Sequence, residues 1–218
     1  MKKLLTVILF LLIPGCINYV QEGKIYPDGT GYFSIHYWMQ LPDNESLTTL
    51  NKIGIFNPDS IRREFTSKFI AIQNVEVYPD TVDSTMHAKI KLTFSNLDSL
   101  NNTKAFSDYN FSLKDGAAGQ KIFSQFIPPI ATGFGIDAGR FHVTYKYTFA
   151  GEIITQNAQI ADNNTLTWKY SLAEIGRGKT ISVTFRPFKL KETPGWIYFL
   201  TGFVLLIVIV FLFRKKKD

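Results

Sequence analysis

Three histidines, one cysteine and a glycine-rich stretch are the residues in this chain whose types could carry chemistry. His36, His87 and His142 each fall in the polar phase of an alternating run, so each is expected to face solvent. No pair of them has the spacing of a metal site, and there is neither a His-Glu-x-x-His run nor a second cysteine to complete one. A Gly-x-Ser-x-Gly elbow is missing as well. Gly133, Gly135 and Gly139 lead into an alternating run that starts near Phe141. A phosphate cradle needs a helix N-terminus behind its glycines, so this segment, with Pro128, Pro129, Ile130, Phe134 and Ile136, reads instead as an apolar surface loop. It could cover a pocket or touch a membrane. Acidic residues are scattered, and no spacing marks two of them as a catalytic pair. Catalysis, a cofactor and a metal are therefore not expected.

The cysteine is better placed. Lys2 and Lys3 precede Leu4–Ile13, an uncharged block ending in Ile13-Pro14-Gly15-Cys16. Ten helical residues rise only about 15 Å, half a hydrocarbon core, so residues 1–15 read as an export signal rather than a span. The last four residues resemble the bacterial lipobox, although Pro14 replaces the usual small residue. That resemblance implies a diacylated Cys16 as the mature N-terminus.

At the other end, Trp196–Phe213 is again uncharged, about 27 Å if helical, and is followed by Arg214, Lys215, Lys216 and Lys217. With Trp196 and Tyr198 at one interface and the basic tail at the other, residues 196–213 are expected to span a membrane and 214–218 to be cytoplasmic. The net charge of +6 sits largely at these two ends. The stretch between is nearly neutral, which removes the case for nucleic-acid binding. Asn44, Asn101, Asn110 and Asn163 head glycosylation sequons, which in a chain rich in Asn, Ser and Thr are expected by chance and go unused in a bacterium.

Residues 16–193 must then form an extracytoplasmic domain. Period-two alternation runs through Phe33–Leu41, Ala88–Phe94, Phe141–Phe149 and Ile181–Phe185, and further strands are expected at 19–26, 70–78, 105–113, 121–126, 152–158 and 165–171. Asp28-Gly29-Thr30-Gly31 reads as a hairpin turn. One helix is expected from Asn44 or Ser46 to Lys52, and another over Ser60–Phe69 after Pro58. The fold class this gives is α+β: a twisted antiparallel sheet with one or two short helices packed on one face. Nineteen Phe and ten Tyr would fill an ordinary β core or line a lipid cavity.

Lys24-Ile25-Tyr26-Pro27-Asp28-Gly29-Thr30-Gly31, the helix after Pro58, Phe149-Ala150-Gly151-Glu152-Ile153, Asn157, and Asn164-Thr165-Leu166-Thr167-Trp168 stand in an order that resembles the LppM-like lipoprotein domain family. The resemblance covers roughly residues 16–215. It departs from the family in the Asn-rich segment 96–110 and in having no cysteine beyond Cys16. It implies structural roles for Gly151 and Trp168, a fold similar to small lipid-binding proteins, and a non-enzymatic protein at the membrane surface that binds lipid or glycolipid. A scaffolding module with an envelope protein partner is the alternative. An acyl-sized cavity would favour the first. Either way, membrane lipid is the expected neighbour and the cytoplasmic membrane the expected location, with the domain on its extracytoplasmic face.

Overall fold

The computed structural model describes residues 17–40, 54–129, 141–187 and 195–213. Two sheets account for most of it. The larger has seven strands in the order β3-β4-β2-β1-β7-β10-β9: β1 (Ile17–Ile25), β2 (Gly31–Gln40), β3 (Ile70–Asp80), β4 (Thr85–Phe94), β7 (His142–Phe149), β9 (Ile160–Asp162) and β10 (Thr165–Ser171). The smaller has the order β5-β6-β11-β8, from β5 (Ser112–Asp115), β6 (Lys121–Ile127), β8 (Gly151–Gln156) and β11 (Lys179–Pro187). Helices are few: α1 (Pro58–Phe65), α2 (Leu172–Ile175) and, in a separate C-terminal unit, α3 (Gly195–Phe213).

Alternation explains the packing. Phe33 and Ile35 on β2, Ala88, Ile90, Leu92 and Phe94 on β4, and Val143, Tyr145, Tyr147 and Phe149 on β7 are all buried on one face of the larger sheet. Phe123 and Ile127 on β6, with Ile181, Val183 and Phe185 on β11, are buried on the smaller one. Rings from the two sheets meet: Phe123 lies 5.3 Å from Phe149, Phe149 lies 5.1 Å from Phe185, and Phe123 meets Tyr147 edge-on at 5.8 Å.

The α+β expectation is thus corrected to a mostly-β, two-sheet fold. The reason is area. In α1 only Ile61 is buried, and α2 is a single capped turn held by the reciprocal Ser171–Glu174 box. Neither can cover seven strands, so a second sheet supplies the opposing layer. The larger sheet is also not wholly antiparallel, because β1 pairs with β7 in parallel from Asn18↔His142 to Ile25↔Phe149.

The strand expected at 105–113 is replaced by 3-10 turns at Asp98–Asn102 and Lys104–Phe106, with β5 starting only at Ser112. There the Asn101 side chain does the work of a ladder, donating to the Phe111 carbonyl at 2.7 Å and accepting from its N–H at 2.7 Å. Helix α1 stops at Phe65 because Thr66 turns extended and Ser67 bridges to Ile70.

The C-terminal span is corrected too: among the described residues no helix is long and apolar enough to cross a membrane. The 19 residues of α3 rise about 28 Å, short of roughly 30 Å of hydrocarbon. The signal segment, Cys16, the helix expected before Lys52, residues 130–140 of the glycine-rich loop, and Arg214–Lys217 lie outside the described residues.

Candidate functional site

One face of the larger sheet packs on the core, and the other carries the polar residues. A bulge at Gln73 makes this possible on β3. Between Ile72 and Asn74 the register shifts, so Ile70 and Val75 can both point inward while Asn74, Glu76 and Tyr78 share the outer face. Cross-strand pairing then lines residues up in rows. One runs Glu22–Ser34–Lys91–Asn74 and the next Val20–His36–Lys89–Glu76, across β1, β2, β4 and β3. Together they floor a hollow of about 430 Å³ lined by both carboxylates and both ammonium groups. A third row, Asn18–Trp38–His87–Tyr78, stands next to these two as an aromatic wall beside the residues that line the hollow.

The wall is ordered by stacking and hydrogen bonds. The His87 ring lies 5.0 Å from Tyr78 and 6.0 Å from Trp38, tilted by 5° and 15°. Nε2 of His36 and Nδ1 of His87 are 3.0 Å apart, so one of them donates to the other. Burial first, then the Lys89 ammonium and His87, lower the His36 imidazole to about 4. Lys89 sits over the Tyr78 ring at 5.1 Å, and its hydrogen bond with the Tyr78 hydroxyl raises its pKa. Solvent-facing histidines were expected, but only His142 is exposed. His87 is 9% exposed and His36 is half-buried. The polar phase was legible; the stacking that covers it depends on neighbouring strands and left no mark in the sequence.

The interior between the sheets holds a second polar group. Gln21 and Gln125 are fully buried, and among the described residues neither Nε2 has a partner. Tyr19 donates to Gln21 Oε1 at 2.6 Å and Tyr147 donates to Gln125 Oε1 at 2.9 Å. Burial, with neighbouring tyrosines adding to it, holds the Tyr19, Tyr145 and Tyr147 hydroxyls well above 10. Close-set rings fill the space around them: Phe33 stacks on Tyr147 at 5.6 Å and Tyr147 lies 6.1 Å from Trp168.

The residues singled out for turns and structure fall into three places. At the β1–β2 turn, Gly29 takes φ +86°. Asp28 Oδ1 there accepts from the N–H and hydroxyl of Thr30 at 3.0 and 2.8 Å, which lowers its carboxyl below the usual range. A side chain on Gly31 would run into the Lys24 carbonyl, and one on Gly151 into that of Arg186. Trp168 is fully buried and donates to Asn157 Oδ1 at 3.0 Å. Asn157 also accepts from the Ser182 N–H and donates to the Thr180 carbonyl, tying β10 to β11. Trp196 and Tyr198 are exposed on α3 in the C-terminal unit. None of these residues lines the hollow, and nothing in the sequence distinguished the residues that do.

By sequence, no known protein family matches the chain and no curated protein does. Among solved structures, the NMR structure of the folded domain of Mycobacterium tuberculosis LppM is similar over 81% of this chain and 94% of that one, at 17% identity and a TM-score of 0.49.

Proposed function

We propose that the chain is an extracytoplasmic lipoprotein without enzymatic activity, tethered through acyl chains on Cys16 to the outer face of the cytoplasmic membrane, and that it binds the polar head of a membrane lipid or glycolipid. The observation that carries this reading is the charge-balanced hollow. Glu22 and Glu76 oppose Lys89 and Lys91 across about 430 Å³, a volume within the range of small-molecule sites. Equal numbers of anions and cations suit a zwitterionic or polyhydroxylated group better than a free anion. The ring-filled interior favours head-group binding over a swallowed acyl chain. Position supports it too: Val20 lies only three strand residues, about 10 Å, beyond Ile17, so the hollow begins close to the tether.

The test is calorimetric titration of the Cys16→Ser chain in detergent with soluble glycerophosphodiester head groups and with monosaccharides. Saturable binding to one class, weakened at least tenfold by Glu76→Gln and by Lys91→Gln, is expected. Binding that ignores both substitutions, or none at all, refutes it. Cross-linking to an envelope protein lost in the same two variants would point to the scaffolding alternative.

A further inference from the structure

We propose that Asp80, Asp83 and His87 form a site for a divalent transition metal of the Zn²⁺ class, with His36 as the outer group that holds its imidazole. Asp80 ends β3, Asp83 sits in the following turn and His87 is the third residue of β4. The hairpin folds the three together, so that one donor atom from each lies within 4.8 Å of the others. Two carboxylate oxygens and one imidazole nitrogen are a donor set suited to Zn²⁺, Co²⁺ or Mn²⁺. Metal–ligand bonds of about 2.1 Å place ligands of one tetrahedral ion roughly 3.4 Å apart. The three groups must therefore close by an ångström or so, which the exposed Asp83 side chain can do by rotating.

The orientation of His87 is the independent reason to read a site rather than a loose acidic turn. Thr85 Oγ1 donates to Asp83 Oδ1 at 2.5 Å and accepts from His87 Nε2–H at 2.6 Å, so Nε2 is the nitrogen on the Asp83 side. A metal bound there must displace the Thr85 hydroxyl and release the Nε2 proton. The opposite nitrogen, Nδ1, meets Nε2 of His36 at 3.0 Å. A ligating imidazole needs such a partner on its far side to fix its tautomer and direction. The Tyr78 and Trp38 rings clamp the ring plane as well. The imidazole is thus nine-tenths buried, rigid, and set beside two acids on the outer face of a sheet, where it adds nothing to the core. Asp80 accepts from the Val82 N–H through Oδ1 at 2.9 Å.

The experiment uses the untagged, metal-stripped full chain in detergent with Cys16→Ser, which removes the only thiol. Co²⁺ is titrated and followed by its visible d–d bands, then displaced with Zn²⁺. One Co²⁺ per chain is expected, with affinity at least tenfold weaker in Asp80→Asn and Asp83→Asn. His36→Gln, which leaves all three ligands in place, is expected to weaken it by 10- to 100-fold. Both Asp variants alter exposed or half-buried side chains, so circular dichroism should show them folded where His87→Ala need not be. Absence of saturable Co²⁺ binding, or binding unchanged in both Asp variants, overturns the proposal.

Discussion

Removing the Tyr147 hydroxyl and the Gln125 amide, singly and together, probes the polar pair between the sheets. Tyr147→Phe deletes a 2.9 Å hydrogen bond and leaves both polar ends of a fully buried amide unpaired, because Gln125 Nε2 already lacks a partner among the described residues. Losing a partner to a buried group costs about 1–3 kcal/mol. Gln125→Met keeps the volume and removes the unpaired Nε2, but it orphans the Tyr147 hydroxyl. These effects are of similar size and opposite sign, so the net change should stay within about 1 kcal/mol. The double variant leaves neither group of the pair buried and unpartnered, and should be as stable as the parent or more so by about 1 kcal/mol. The coupling is then about 2–3 kcal/mol, well outside the few tenths by which independent sites depart from additivity. Urea unfolding followed by tryptophan fluorescence reads it: with a slope of about 2 kcal/mol per molar, Tyr147→Phe should move the midpoint down by roughly 1 M, and Gln125→Met should restore it. Additive changes within about 0.5 kcal/mol would refute the reasoning and mean that the two groups find other partners.

High pH should unfold the domain through its buried tyrosines. Their hydroxyl pKa values are raised in the folded chain, so the stability they contribute is fully present below about 10, the unfolded value, and is lost as pH rises through the folded value. Ultraviolet difference spectra should therefore show these phenolates appearing together with loss of circular dichroism; ionisation with the fold intact would contradict the burial. Cys16→Ser should abolish incorporation of labelled palmitate, and a wild-type chain that takes up no label would remove the lipid tether.

The strands were legible where one face is apolar and the other polar along an unbroken run, as in β2, β4 and β7. Partnership was not. A period of two says which face of a strand is buried, but Phe123 and Val183 bear the same pattern whether a helix or another sheet covers them. The parallel β1–β7 pair joins residues far apart in the chain and has no local signature. On β3, the shift from Ile70 and Ile72 to Val75 and Val77 is the trace of the bulge, visible as a broken alternation. Tyr109 and Phe111 carry the apolar pattern of a strand while Asn101, through its side chain, holds them in a loop. The residues flooring the hollow are ordinary outward-facing Glu, Lys and Ser, and only register makes them neighbours. The histidine–aspartate cluster escaped for the same reason: spacings of three and four mean a helix face in a helix, and here a hairpin produces the proximity.

The central position of β1 has a consequence for the order in which the chain can fold. β1, β2, β4 and β3 can assemble as a local unit once residue 94 has emerged. The other edge of β1, from Asn18 to Ile25, must wait for β7, which ends at residue 149. During that interval a central strand is an open edge, with unpaired N–H and C=O groups able to template association with another chain. Lys24 and Glu22 on that strand put charge along the open edge. The interval between the emergence of residue 94 and that of residue 149 is therefore when this open edge is most available for association with a second chain.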